Sequence, residues 1–140
     1  MILLDTNVVS EVMRVAPEPA VLDWMNASEA SHLYLATITI AEISYGLQIL
    51  PEGRRRQAIT ARFDRFIEQG FAHRVLPFDA AAAFIYGDVM ARRKRMGRPL
   101  SVLDGQIVSI AKAHRMMVAT RNTVDFEDTG VELLNPWERR

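Results

Sequence analysis

Short apolar runs alternating with longer stretches of helical period constrain this chain most. Ile2 to Leu4 and Met116 to Ala119 are apolar throughout, and Leu33 to Thr37, Val75 to Phe78 and Val131 to Leu134 are nearly as short and nearly as apolar. None is long enough to be a stable helix, and the missing polar alternation marks strands buried on both faces. Between them, Ile40, Ile43, Leu47 and Leu50 recur at three- and four-residue spacing until Pro51 stops the pattern. Ile59, Phe63, Phe66 and Ile67 give Arg56 to Gln69 an inward face. Asp79 stands where it can cap an alanine-rich helix running towards Gly97, and from Ser101 a further helix aligns Leu103, Ile107, Ile110 and His114 in one stripe. Strands that alternate with helices in this way predict an α/β/α sandwich with a mainly parallel sheet of four or five strands.

The chain has 140 residues and no repeat, low-complexity tract or linker-like stretch, so residues 1–140 read as one continuous domain. It contains no cysteine, which excludes disulfides, thiolate zinc sites and a cysteine nucleophile and suits a reducing cytoplasm. No stretch reaches the roughly 18 apolar residues a membrane span needs, so a cytoplasmic location is expected. Net charge is zero but uneven: residues 1–50 carry six acids and one base, 51–100 five and eleven, and 101–140 six and five. That division suits a chain holding cations at one place and polyanions beside it. A solvated helix surface is the alternative reading of the basic middle.

In open parallel sheets, ligands bind beyond the carboxyl ends of the strands. Four acids are expected there. Asp5 follows the first strand, Glu42 falls in the first turn of the helix after the second, Asp104 lies in the first turn of the helix before Met116, and Asp125 lies in the loop after Ala119. Each also has a local reading: Thr39-Ile-Ala-Glu42 and Ser101-Val-Leu-Asp104 match capping boxes, and Asp5 and Asp125 suit turns. Four acids at one end of one sheet are harder to ascribe to capping. Like charges about 4 Å apart repel by roughly 4 kcal/mol at an effective dielectric near 20, so such a cluster needs cations or protons. Hard cations such as magnesium or manganese take carboxylate oxygens and promote phosphodiester hydrolysis.

Other chemistry finds little support. His32, His73 and His114 match no metal-ligand spacing, and neither the Walker nor the Rossmann glycine pattern occurs. Two basic clusters, Arg54-Arg55-Arg56 and Arg92-Arg93-Lys94-Arg95, have no interleaved aromatic residues, so extensive base stacking is not indicated.

Four motifs, in order, are MILLDTNVVSE, TIAEISYGL, SVLDGQIVSIA and VATRNTVDF. Together they resemble the PIN-domain toxins of VapC type, particularly the FitB-like branch, over nearly the whole chain. The resemblance implies a PIN-like α/β/α fold and a magnesium-dependent endoribonuclease, with manganese able to substitute. Asp5 and Asp104 would be the principal metal ligands, and Glu42 and Asp125 the other catalytic acids, with Asp128 and Glu11 as spare acids nearby. It further implies a structured RNA substrate such as transfer RNA, a cognate antitoxin that covers the site, and a homodimer, for which Met13, Val15 and Trp24 offer apolar surface. Thr6, Asn7 and Asn122 would orient ligands or bind phosphate. Arg92, Arg93 and Arg95, just before Asp104, would guide the RNA backbone. The rival readings are another magnesium-dependent phosphoryl-transfer protein, marked by a lysine after a late strand, and a non-catalytic RNA-binding module whose acids only cap helices.

Overall fold

The computed structural model describes residues 1–138, so Arg139 and Arg140 of the expected domain lie outside the described residues. Strand β1 (Ile2–Leu4) leads into α1 (Thr6–Val12) and α2 (Pro19–Ala27), and β2 (Leu33–Ala36) into α3 (Thr37–Gln48) and α4 (Arg54–Gly70). Then come β3 (Val75–Leu76), α5 (Ala80–Arg95), α6 (Val102–Ala113), β4 (Met117–Ala119), a 3-10 turn at Thr123–Phe126 and β5 (Leu133–Leu134). The five strands lie in the order β3-β2-β1-β4-β5, and every neighbouring pair is parallel. The chain steps outward from β1 through β2 to β3, then crosses back to place β4 on the other side of β1. The direction therefore reverses between β1 and β4, the position at which open α/β sheets leave a crevice.

The pleat explains why the strands are apolar throughout. Leu3 joins the core formed with Val89 of α5 and Ile107 and Ile110 of α6, whereas Leu4 joins the opposite core with Val8, Val21, Leu47 and Phe63 from α1 to α4. Consecutive residues thus face different helix layers, and a polar residue on either face would lose water without gaining a partner. Asp79 caps α5 as expected, accepting from the Ala82 amide at 3.0 Å. Met13 and Trp24 pack against the second core and are not surplus surface, whereas Val15 is 96% exposed. Among the described residues, no helix is long and apolar enough to cross a membrane.

Two local expectations fail. Helix α3 starts directly at Thr37 without a polar turn, so Glu42 sits in its second turn and Thr39 is not its cap. The stripe expected on α6 also differs: Leu103 and His114 are exposed, while Ile107, Val108, Ile110 and Ala111 are buried. Helix α6 is covered by α5 as well as by the sheet, which buries more than one stripe of its middle. His114 is where the helix ends, its amide donating to the Ile110 carbonyl at 3.2 Å.

The contact between α5 and α6 is close because of Gly105. A Cβ there would lie 2.4 Å from Met90 Sδ and 3.1 Å from Tyr86 Cε2. Gly105→Val should therefore push the two helices apart and cost about 1–3 kcal/mol, as overpacking does. Urea unfolding checks this, and an unchanged midpoint would show that Met90 simply swings aside.

Candidate functional site

Asp5 is placed by the sheet itself. Its amide donates to the Ala119 carbonyl at 2.9 Å, extending the β1–β4 pairing by one residue beyond Leu4. The backbone then turns into α1, and the carboxylate caps that helix by accepting from the Thr6 amide at 2.8 Å. The other carboxylate oxygen accepts from the hydroxyl of Thr120, the first residue past β4, at 2.8 Å. Thr120 is fully buried and Asp5 only 5% exposed. Burial pushes the Asp5 carboxyl up to about 6, and the charges of Asp104 and Glu42 add to this against the lowering effect of its two hydrogen bonds.

Glu42 and Asp104 reach the same cleft from different helices. Thr6 donates its hydroxyl to Glu42 Oε1 at 2.8 Å and lies 3.1 Å from the buried hydroxyl of Thr39, so Glu42 is fixed by α1 and does not cap α3. Asp104 occupies the first turn of α6, where its amide donates to Ser101 Oγ at 3.2 Å. Its carboxyl is half-buried and raised above the ordinary aspartate range, chiefly by desolvation, with the charge of Asp125 adding to the effect. Asn7 ties the two strand ends together, donating to Thr120 Oγ1 at 3.3 Å and accepting from the Arg121 amide at 3.4 Å. Asp5, Thr6, Asn7, Glu42, Asp104 and Asn122 all line one open cleft of about 520 Å3.

The remaining sequence-derived residues are placed otherwise. Asp125 is exposed in the 3-10 turn and lines a neighbouring depression that shares Asp104 with the cleft. Asp128 pairs with Arg98 at 2.9 Å, and Glu11 is buried at the cleft wall with Arg14 at 3.0 Å. Arg93 is no phosphate contact. It is 3% exposed, and its guanidinium donates to the carbonyls of Arg98, Asp125 and Glu127 at 2.7, 3.1 and 2.7 Å. It joins the loop before Asp104 to the turn that carries Asp125. Arg92 and Arg95 are exposed on α5 and border neither the cleft nor the depression. The sequence reading missed Thr120, Arg121 and Trp137. The first two could have been found as the residues immediately beyond β4, opposite Asp5.

No lysine, arginine or histidine pairs with Asp5, Glu42 or Asp104 among the described residues. Nor do any three carboxylates or imidazoles among them close into a ready-made ligand cage. The donor set of carboxylate and hydroxyl oxygens fits a hard divalent cation that keeps much of its water, as magnesium does with one or two carboxylates.

The PIN domain model matches residues 2–132. The chain belongs to the PIN-domain family. This PIN domain is similar to the VapC ribonuclease Y4jK of Sinorhizobium fredii, 45% identical over 138 residues and 99% of each chain. It is also similar to the toxin FitB of Neisseria gonorrhoeae, 39% identical over 137 residues, or 98% of this chain and 99% of FitB. Its fold matches the crystal structure of FitAcB from Neisseria gonorrhoeae with a TM-score of 0.93 at 38% identity, over 99% of this chain and 100% of that one. The PIN-like α/β architecture expected from the sequence is therefore the observed one.

A raised acid pKa predicts a pH dependence of definite sign. Between about pH 4 and 6 the folded PIN domain holds a proton on Asp5 that the unfolded chain has already released, so stability falls as pH rises through this window. The loss from Asp5 is on the order of 3 kcal/mol and levels off about one unit above the folded value. Asp5→Asn removes it while keeping the cap on α1. In chelator, the stability of the variant relative to the parent should grow by up to that amount between pH 4 and 7. A difference that stays flat in urea titrations across this range would contradict the burial assigned to Asp5.

Proposed function

We propose that this PIN domain is an endoribonuclease of VapC type that hydrolyses RNA phosphodiester bonds with magnesium held at Asp5, Asp104 and Glu42, manganese substituting. The carrying observation is that these three acids share one cleft at the β1–β4 reversal with no basic partner among the described residues. The 45% identity to a VapC ribonuclease across 99% of both chains supports the same reading. Bound magnesium eases formation of a nucleophile from water near neutral pH and neutralises charge on the leaving oxygen.

The chain's own residues supply placement. Thr120 and the Thr6 amide hold both oxygens of Asp5, and the Thr6 hydroxyl holds Glu42. Because burial raises the Asp5 carboxyl to about 6, a cation held there would compete with its proton and would bind more tightly as pH rises through that range. Asp125 acts from the neighbouring depression through its charge on Asp104. Asn122 and Asn7 line the path to the acids and offer amide donors to phosphate. The substrate is a structured RNA such as transfer RNA, and a cognate antitoxin restrains the enzyme by presenting an arginine or lysine to the acidic cleft. The similarity to the toxin FitB supports the toxin assignment; a homodimer and a cytoplasmic site of action belong to the same proposal.

The rivals fare worse. The rival phosphoryl-transfer site expects a lysine beyond a late strand, whereas Thr120 and Arg121 follow β4 and Lys112 donates to the Thr129 carbonyl. A module whose acids only cap helices leaves Glu42 unexplained, since it caps nothing.

Purified protein should cleave total RNA with magnesium and stop in excess chelator. Asp104→Asn, which leaves the Ser101 cap to the backbone amide intact, should lower cleavage by more than about 100-fold and reduce the magnesium-induced rise in melting temperature. Undiminished cleavage in chelator would sink the proposal.

A further inference from the structure

A cleft walled by carboxylates repels the polyanion it is proposed to cut, so RNA needs cationic charge on the wall besides the metal. The basic stretch Arg92–Arg95 does not border the cleft. Among the described residues two bases do, Arg14 and Arg121. Arg14 is committed: both Glu11 oxygens accept from its Nη1, at 3.2 and 3.0 Å. Arg121 carries no ion pair among the described residues.

Arg121 is nevertheless held. Its amide donates to Asn7 Oδ1 at 3.4 Å, and its carbonyl accepts from Asn135 Nδ2 at 3.5 Å. Its guanidinium carbon lies 5.3 Å from the ring centre of Trp137, which itself lines the cleft. A cation–π contact of this kind uses none of the guanidinium N–H donors, which remain able to grip a phosphate with two parallel hydrogen bonds. The residue before it, Thr120, touches Asp5. From this geometry we infer that Arg121, preset by Trp137, binds an RNA phosphate next to the scissile one. The indole thereby limits the rotamers that a long, exposed side chain would otherwise lose on binding. This rests on the ribonuclease reading and adds a substrate subsite to it.

Cleavage kinetics over a sodium chloride series, at fixed magnesium and with one RNA oligonucleotide that the parent protein cuts, test the inference. Arg121→Ala should raise KM about ten-fold, leave kcat within about two-fold and lower the slope of log(1/KM) against log salt by about one, as loss of a single phosphate contact does. Arg121→Lys should keep the slope yet raise KM, since an ammonium retains charge but not the planar fork. Trp137→Ala, which removes the aromatic face but no charge, should raise KM by less than Arg121→Ala and leave the salt slope unchanged. The magnesium-induced melting shift should be unchanged in all three. If Arg121→Ala alters stability alone and leaves KM and the salt slope at parental values, the pair only fastens the C-terminal segment and the inference is overturned. A parent protein that cuts no RNA overturns the ribonuclease reading first, and this inference with it.

Discussion

The structure depends on a buried carboxylate at the one place in the sheet where it can be both held and reached. β1 is the central strand, flanked by β2 and β4 and covered on both faces, so its last residue has little freedom in where it points. Asp5 begins where the apolar strand stops, and the β1–β4 ladder, the first turn of α1 and the Thr120 hydroxyl each take one of its polar groups. The sheet supplies the rigidity, but burial without a cation makes the charged form unfavourable. A charge held at this position is thereby set against the stability of the fold.

The rest of the cleft is arranged around that residue by short tethers. Thr6, the neighbour of Asp5, reaches across to Glu42 on α3, and Asn7, one residue further, reaches to the segment after β4. Three consecutive residues at the end of β1 thus link α1, α3 and the β4 loop. Asp104 comes from the other helix layer, delivered by the close approach of α6 to α5 at Gly105. A shift of either layer against the sheet would move one wall of the cleft relative to the other.

Arg93 shows how misleading composition is about charge. It stands in the most basic stretch of the chain, yet its guanidinium is buried and consumed by three backbone carbonyls. Such carbonyls would otherwise be poorly satisfied in two irregular segments, and one planar five-donor group serves them better than water at a buried position. The arginines that do border the cleft, Arg14 and Arg121, are isolated in sequence.

The sequence by itself determined the sheet and the acids' approximate place. Runs such as Ile2 to Leu4 and Met117 to Ala119 suit strands buried on both faces, and Asp5 is legible because it follows such a run, Asp104 because it stands in the first turn of a capped helix. Periodicity and capping are local properties that neighbouring residues settle among themselves. Tertiary structure alone decided which side chains meet. It turned Glu42 towards Thr6, 36 residues away, joined Thr120 to Asp5 across 115, and set Asp125 in a depression beside the cleft. It also buried Arg93, exposed His114, and left Arg121 against Trp137. Those outcomes depend on the order in which strands enter the sheet and on how closely helices pack over it, and no window of neighbouring residues contains that information.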